Sequence, residues 1–185
     1  MKRIAYLFAL LALAVAIGCG ESTEKETAVE APPVDEKQLL LDSIAELENS
    51  LKNVQKIGQR QSEAFAVVSC YKLFADKYRD DARAAEYLFR GGDVAVGLKQ
   101  YTLALHFYER IYKDFPDYDK RPMALFLQAF IKDSYMKDFE EARALYEQCI
   151  EEFPNDRVAE DSKGALEFLG LSEEELIERL KEKNS

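Results

Sequence analysis

The chain has 185 residues, with 25 basic and 35 acidic side chains, one histidine, three cysteines and no tryptophan. This length corresponds to one domain and excludes a multidomain enzyme. Eight glycines and five prolines are too few for a sandwich of many short strands. A net charge of -10 argues against nucleic acid as the main partner, because phosphate binding requires a basic surface. The composition therefore favours an acidic, mostly helical domain.

The first residues have the pattern of a targeting segment. Lys2 and Arg3 precede an uncharged run from Ile4 to Ile17, and Gly18-Cys19 follows it. As a helix, this run would span about 21 Å, which is less than the roughly 30 Å hydrocarbon core of a bilayer. Residues 1–18 are therefore predicted to be a signal peptide rather than a membrane-spanning helix.

The end of this segment, Ala16-Ile17-Gly18-Cys19, resembles the lipobox of bacterial lipoproteins. The resemblance implies cleavage before Cys19 and a lipid anchor on its thiol, although Ala16 stands where leucine is usual. Several acyl chains would make the anchor effectively permanent. An ordinary signal peptide that contains a cysteine is the alternative. By the same resemblance, Gly20 favours the outer membrane, and we expect a location on its periplasmic face.

Residues 19–36 are predicted to be the acylated cysteine and a flexible tether. They are polar, include Pro32-Pro33 and contain almost nothing that could pack in a core. The acidic run Glu21, Glu24 and Glu26 is similar to surface-export signals of some bacterial groups, which leaves display on the cell surface as an alternative. Without Lys2 and Arg3 the net charge falls to -12, so the body would not lie flat on anionic lipid.

Residues 37–80 are predicted to form a helical hairpin. Two stripes at spacings of three and four residues indicate its helices: Leu40, Ile44, Leu47, Leu51 and Val54, then Val67, Tyr71, Phe74 and Tyr78. Asp35 is placed to cap the first helix. Pairing of two copies through the first stripe is an alternative use of that stripe.

An internal repeat of 38 residues follows the hairpin. Ala104, Tyr108 and Pro116 recur as Ala142, Tyr146 and Pro154. A small residue lets two helices approach closely, an aromatic residue fills the gap between neighbouring pairs, and a proline ends the helix. Each of these six residues is therefore expected to take part in packing or termination of the repeats.

This pattern resembles the tetratricopeptide repeat. The resemblance implies an all-α fold, an α-solenoid of antiparallel helix pairs with repeats at 81–116 and 117–154, in which 37–80 is a degenerate repeat. The repeat length of 38 rather than 34 departs from the family, and Asp117 to Arg121 can absorb the difference. Phe130 stands where the family usually has a small residue.

Capping helices are predicted in residues 155–185. A stack of repeats needs a polar last element to cover its final apolar face. Ser172 and Glu175 form a capping-box pattern at the start of the last helix.

The chain offers few groups for catalysis or metal binding. His106 is the one histidine, and we expect it to be a surface or packing residue rather than a general base. Cys149 occupies an apolar repeat position and is expected to pack as a small hydrophobe. A disulfide between Cys70 and Cys149 would have to cross a whole repeat and is not expected. We therefore predict no cofactor, no metal and no enzymatic activity.

In tetratricopeptide proteins the first helices line a concave groove. By that resemblance, Phe89, Asp93, Leu127, Ile131 and Tyr135 would face a protein partner. The resemblance implies a non-enzymatic scaffold in the bacterial envelope, similar to repeat lipoproteins that assist outer-membrane protein assembly or coordinate the envelope. The alternatives are a homo-oligomeric structural protein and a small-ligand carrier or enzyme with a pocket between repeats.

Overall fold

The computed structural model describes residues 35–183 of the chain. These residues form eight α-helices, one π-helix and no strand. The helices are α1 (Glu36–Asn53), α2 (Ile57–Lys77), α3 (Arg83–Gly97), α4 (Tyr101–Asp114), α5 (Arg121–Ile131), the π-helix Lys132–Met136, α6 (Phe139–Glu152), α7 (Arg157–Phe168) and α8 (Glu173–Lys183). The signal peptide, Cys19, Gly20 and nearly all of the tether lie outside the described residues.

None of the helices in 35–183 combines the length and the apolar character that crossing a bilayer requires.

Side-chain caps explain where several helices begin. The Asp35 carboxylate accepts hydrogen bonds from the backbone N–H groups of Lys37 and Gln38, at 3.0 and 3.2 Å. Ser172 and Glu175 bond each other's backbone N–H groups at the start of α8. Each cap satisfies donors that the first turn of a helix leaves unpaired. The caps predicted at Asp35 and at Ser172 are confirmed.

Successive helices pack against each other as pairs along the chain. The main contacts join α1 to α2, α2 to α3, α3 to α4, α4 to α5, α5 to α6 and α6 to α7. The first helical stripe packs on α2, where Ile44 joins Val67, Tyr71 and Phe74 in one core cluster. This stripe is therefore used inside the hairpin rather than free to pair two copies. The predicted all-α fold, a solenoid of helix pairs, is confirmed.

The two repeats have matching backbones. The helices α3 and α5 begin 38 residues apart, as do α4 and α6. Both first helices end in a left-handed residue, Lys99 with φ 59° and Lys137 with φ 56°. A left-handed lysine is costly, yet the same bend occurs in both pairs. The repeat unit thus includes its turn as well as its helices.

Buried side chains hold each repeat together. Ala104, Tyr108, Ala142 and Tyr146 are fully buried. Pro116 and Pro154 are exposed, and each follows the last residue of a second helix by two positions. Beyond the second repeat, Ala165 and Leu166 of α7 pack with Leu169 against the cluster that contains Tyr146. The last repeat is thus covered mainly by α7 and the turn after it.

Candidate interaction surface

The predicted groove is partly filled at Phe89. Its ring lies edge-on to Tyr118 and Tyr108, with centroid separations of 6.4 and 5.7 Å. The Lys120 ammonium lies 4.9 Å from the centroid of the same ring. Tyr118 and Lys120 belong to the turn between α4 and α5, in the stretch expected to absorb the extra length of the repeat. That turn folds over Phe89 and leaves the ring half-buried.

A hydrogen-bonded network of charges fixes this turn. Glu86 accepts hydrogen bonds from the Tyr118 hydroxyl at 2.6 Å, the Lys120 ammonium at 2.9 Å and the Arg90 guanidinium at 2.9 Å. Burial opposes the charge of Glu86, but the hydrogen bonds from Lys120, Tyr118 and Arg90 outweigh it and lower the pKa of the carboxyl to about 2. Arg90 also bonds Glu48 of α1 at 3.0 Å. The network ties α1, α3 and the turn together.

Asp93 is exposed on α3 and engaged with the core. Its carboxylate accepts a hydrogen bond of 2.7 Å from the hydroxyl of the buried Tyr108. Burial, and then this carboxylate, raise the pKa of Tyr108. Asp93 therefore satisfies a buried hydroxyl from the surface side of the helix.

The next two predicted groove residues lie deeper than expected. Leu127 is half-buried against the core cluster of the first repeat. Ile131 is 1% exposed and belongs to that cluster. The expectation that Ile131 faces a partner is corrected here, because its side chain fills the space between repeats.

Tyr135 is exposed, and it organises a small aromatic surface. Its ring stacks on Tyr101 with a centroid separation of 4.5 Å and an interplanar angle of 10°. Phe130 meets the same ring edge-on at 5.8 Å. Tyr135 and Phe130 are 43% and 37% exposed. We call these three residues the aromatic cluster. Tyr135 is the predicted groove residue that belongs to this cluster.

The π-helix presents Tyr135 at this surface. It continues α5 and ends at the left-handed Lys137, and the N–H of Asp138 bonds the carbonyl of Lys132 at 2.9 Å. A wider turn changes the angle at which the following side chains leave the axis. Met136, in the same segment, is 43% exposed. One signal in the sequence could have pointed to this surface: Phe130 stands where tetratricopeptide repeats usually have a small residue.

A cavity lies between α4 of the first repeat and α5 and α6 of the second, where the alternative of a pocket between repeats would place it, although its lining residues were not predicted from the sequence. It is a half-open cleft with a volume of about 420 Å³, and its lining includes Leu105, Tyr112, Gln128, Lys132 and Gln148. The polar groups pair with protein partners: Lys132 with Glu141, and Gln148 with the Tyr112 oxygen at 2.8 Å. The available signal was Gln128, a polar residue within the apolar helix α5.

The described residues hold little that could serve in catalysis. His106 is exposed. No group of three potential metal-binding side chains occurs in the part of the chain that the structure describes. Cys70 and Cys149 are both free thiols. Cys149 is fully buried between Leu125 and Val158, as expected of a small hydrophobe, and burial raises the pKa of its thiol to about 11.

Comparison with protein families identifies the second repeat. Residues 123–156 match the model of the tetratricopeptide repeat. The match covers most of α5, the π-helix, α6 and the turn that follows, and it includes Ala142, Tyr146 and Pro154. Curated proteins gave no match to the chain. Residues 123–156 are therefore similar to a tetratricopeptide repeat, and such a repeat supports a role in protein–protein interaction.

Proposed function

We propose that the protein is a non-enzymatic scaffold, anchored to the membrane by a lipid on Cys19, that binds another protein of the bacterial envelope. The observation that carries this proposal is the aromatic cluster, which lies largely within the matched repeat. Protein interfaces are enriched in Tyr, Phe and Met. Here, Phe130, Tyr135 and Met136 combine these residue types with substantial exposure.

The aromatic cluster is suited to binding because it is both exposed and ordered. Stacking on Tyr101 and the edge contact with Phe130 hold the Tyr135 ring. A side chain that is already positioned loses less conformational freedom when a partner binds. Burying the open part of the cluster would also remove apolar surface from water. The cluster thus has the features of an interaction hot spot.

The anchoring part of the proposal is supported by the sequence before residue 35. The lipobox-like Ala16-Ile17-Gly18-Cys19 and the polar tether would hold the repeats away from the bilayer. A flexible segment of this length has a reach of about 20–25 Å. By the resemblance to bacterial lipoproteins, Gly20 favours the outer membrane, and we place the repeats on its periplasmic face. In this arrangement the repeats would meet partners in the space next to the membrane.

Site-specific photocrosslinking in cells tests the binding role. A photoreactive amino acid replaces Tyr135 in one variant and Phe65 in a matched control, because Phe65 is a similarly exposed aromatic on α2. We expect one envelope protein to be captured at residue 135 and not at residue 65. Capture of no protein at residue 135, above the background of an unrelated lipoprotein, would contradict the scaffold role.

A separate experiment tests the anchor. Cys19→Ser should abolish incorporation of labelled palmitate and move the protein from the membrane fraction to the soluble fraction, because the acceptor thiol is lost. Cys70→Ser is the control, since Cys70 is a half-buried thiol within the helical body. Membrane association that survives Cys19→Ser would contradict anchoring through that residue.

A further inference from the structure

Two lysines flank the stacked tyrosines of the aromatic cluster. Lys99 precedes Tyr101 by two residues, and Lys137 follows Tyr135 by two. The two rings are 4.5 Å apart. Because Cα atoms two residues apart are separated by at most about 7 Å, both lysine backbones lie beside the same aromatic stack. The two lysines occupy equivalent positions of the two repeats, since they are 38 residues apart.

Backbone geometry fixes where these lysines leave the chain. Each adopts a left-handed conformation at the end of a first helix, and each side chain is exposed. The N–H of Lys99 bonds the carbonyl of Val96 at 2.9 Å. The two ammonium groups therefore extend from ordered turns at one edge of the helix pairs.

The polar groups beside the aromatic stack, two lysine ammonium groups and two tyrosine hydroxyls, have no acceptor in the described part of the chain. Within residues 35–183, no hydrogen bond or ion pair involves the side chain of Lys99 or Lys137, or the hydroxyl of Tyr101 or Tyr135. Of the seven other tyrosines in residues 35–183, Tyr78 and Tyr87 likewise have no hydroxyl partner, and five donate to a carboxylate. Four hydroxyls donate to carboxylates at 2.6–2.7 Å, in the pairs Tyr71–Glu48, Tyr108–Asp93, Tyr112–Glu152 and Tyr118–Glu86. Tyr101 and Tyr135 thus lack the carboxylate partner that most of the other described tyrosines have.

Nearby acidic residues are mostly engaged. Asp133 accepts from the buried Tyr146 hydroxyl at 3.5 Å. Asp138 caps α6 and pairs with Lys132, also at 3.5 Å. Glu140 is exposed in the first turn of α6 and has no side-chain partner in the described part of the chain. The negative charge of Glu140 would therefore repel an acidic ligand, and removing this charge should strengthen binding.

We propose that the aromatic cluster, with Lys99 and Lys137, binds a segment of a partner protein in which an aspartate or glutamate stands beside an apolar side chain. The rings receive the apolar side chain, and the ammonium and hydroxyl groups receive the carboxylate. Opposite charges across an interface favour the correct partner and speed its encounter. This inference rests on the proposed function and names the partner's chemistry.

Lysines beside aromatic rings could also contact an anionic membrane. The net charge of the chain opposes that use, because 35 acidic against 25 basic residues would be repelled by anionic headgroups. An acidic segment carries only a few charges and can meet the two lysines locally. The observations therefore favour a protein segment, and a vesicle measurement can decide against it.

The test selects ligands from a displayed library of random 12-residue peptides with the full chain as bait. We expect the selected peptides to contain Asp or Glu next to Leu, Ile or Phe. A selected peptide is then labelled and its affinity is measured by fluorescence anisotropy, beside an analogue in which Asn or Gln replaces the acidic residue. The analogue should bind about tenfold more weakly, as the loss of two exposed charge contacts would imply.

Matched variants locate the binding. The double variant Lys99→Gln/Lys137→Gln should also weaken binding about tenfold, whereas Lys52→Gln/Lys163→Gln, at two other exposed lysines, should leave affinity within about twofold. Glu140→Gln should strengthen binding, because a like charge is removed. Tyr135→Ala should weaken it at least tenfold, with circular dichroism showing unchanged helix content.

Several results would overturn the inference. These are selection of no peptide, selection of peptides without acidic residues, an affinity that ignores the Lys99 and Lys137 changes, or binding to phosphatidylglycerol vesicles that depends on those lysines. The proposed function fails separately, through the absence of any crosslinked protein at residue 135. Crosslinking without acidic peptides would keep the scaffold and reject this partner class.

Discussion

The Tyr108 ring packs directly against the backbone of Gly92, and a Cβ atom at residue 92 would lie 2.5 Å from Cε1 of that ring. Tyr108 is fully buried, and its hydroxyl is bonded to Asp93. The ring therefore has little freedom to move away. This contact sets how closely α3 approaches α4.

Gly92→Ala should lower the free energy of unfolding by about 1–2 kcal/mol. Overpacking of a tight core costs about 1–3 kcal/mol, and the gain of about 1 kcal/mol in helix propensity offsets part of it. Gly164→Ala in α7 is the control, because a Cβ there would contact nothing. It should stabilise the protein by about 0.5–1 kcal/mol. Urea unfolding followed by circular dichroism measures both, and equal effects would contradict the packing argument.

Gln100→Asp should stabilise the protein by about 1 kcal/mol, because it would cap α4. Gln100 makes no side-chain cap and has φ -91° and ψ 62°, close to the φ -90° and ψ 76° of Asp138. Asp138 is the equivalent residue of the second repeat and accepts from the Glu141 N–H at 3.3 Å. The reciprocal change, Asp138→Gln, should destabilise the protein in the same assay. If Gln100→Asp and Asp138→Gln both stabilise the protein, capping by an aspartate side chain cannot explain the change.

The substitution Glu86→Gln should destabilise the protein at neutral pH, and this destabilisation should shrink as the pH falls. The pKa of Glu86 is lowered from about 4.5 to about 2 in the folded state, so its stabilising contribution is complete above about pH 4.5 and disappears towards pH 2. Urea unfolding across this range should show a wild-type advantage that shrinks in acid. Tyr118→Phe removes one donor and should move the loss to higher pH. A difference in unfolding free energy between the wild type and Glu86→Gln that stays constant with pH would contradict this prediction.

Cys149 should resist alkylation in the folded protein. Burial raises the pKa of its thiol from 9.0 to about 11, which lowers the thiolate fraction about 100-fold at a given pH below both values. Treatment with iodoacetamide and peptide mass spectrometry should show labelling at least tenfold slower in buffer than in denaturing urea. Cys70, which is half-buried, serves as the comparison. Equal rates with and without urea would contradict burial of Cys149.

Much of the fold could be predicted from the sequence because its signals are local and periodic. The stripe that contains Ile44 and the small residues Ala104 and Ala142 depend only on helical spacing and side-chain size. Capping at Ser172 depends on four consecutive residues. These features follow from short-range geometry, which a single sequence displays.

The surface was harder to predict because it depends on where turns bring distant residues. Tyr118 and Lys120 cover Phe89 across about thirty residues of chain. The expected series of Leu127, Ile131 and Tyr135 assumed regular α-helical spacing. The π-helix interrupts that spacing after Ile131, and Tyr135 stacks on Tyr101. No residue type between Lys132 and Met136 predicts a π-helix.

Each helix contacts chiefly the helices that come before and after it in the chain. Apart from the hydrogen bond between Arg90 of α3 and Glu48 of α1, strain or ordering at Tyr135 reaches α1 through the helices that lie between them. The hairpin of α1 and α2 can therefore fray while the aromatic cluster stays intact, so under the proposed anchoring through Cys19 a pull on that end need not release a protein bound at the cluster.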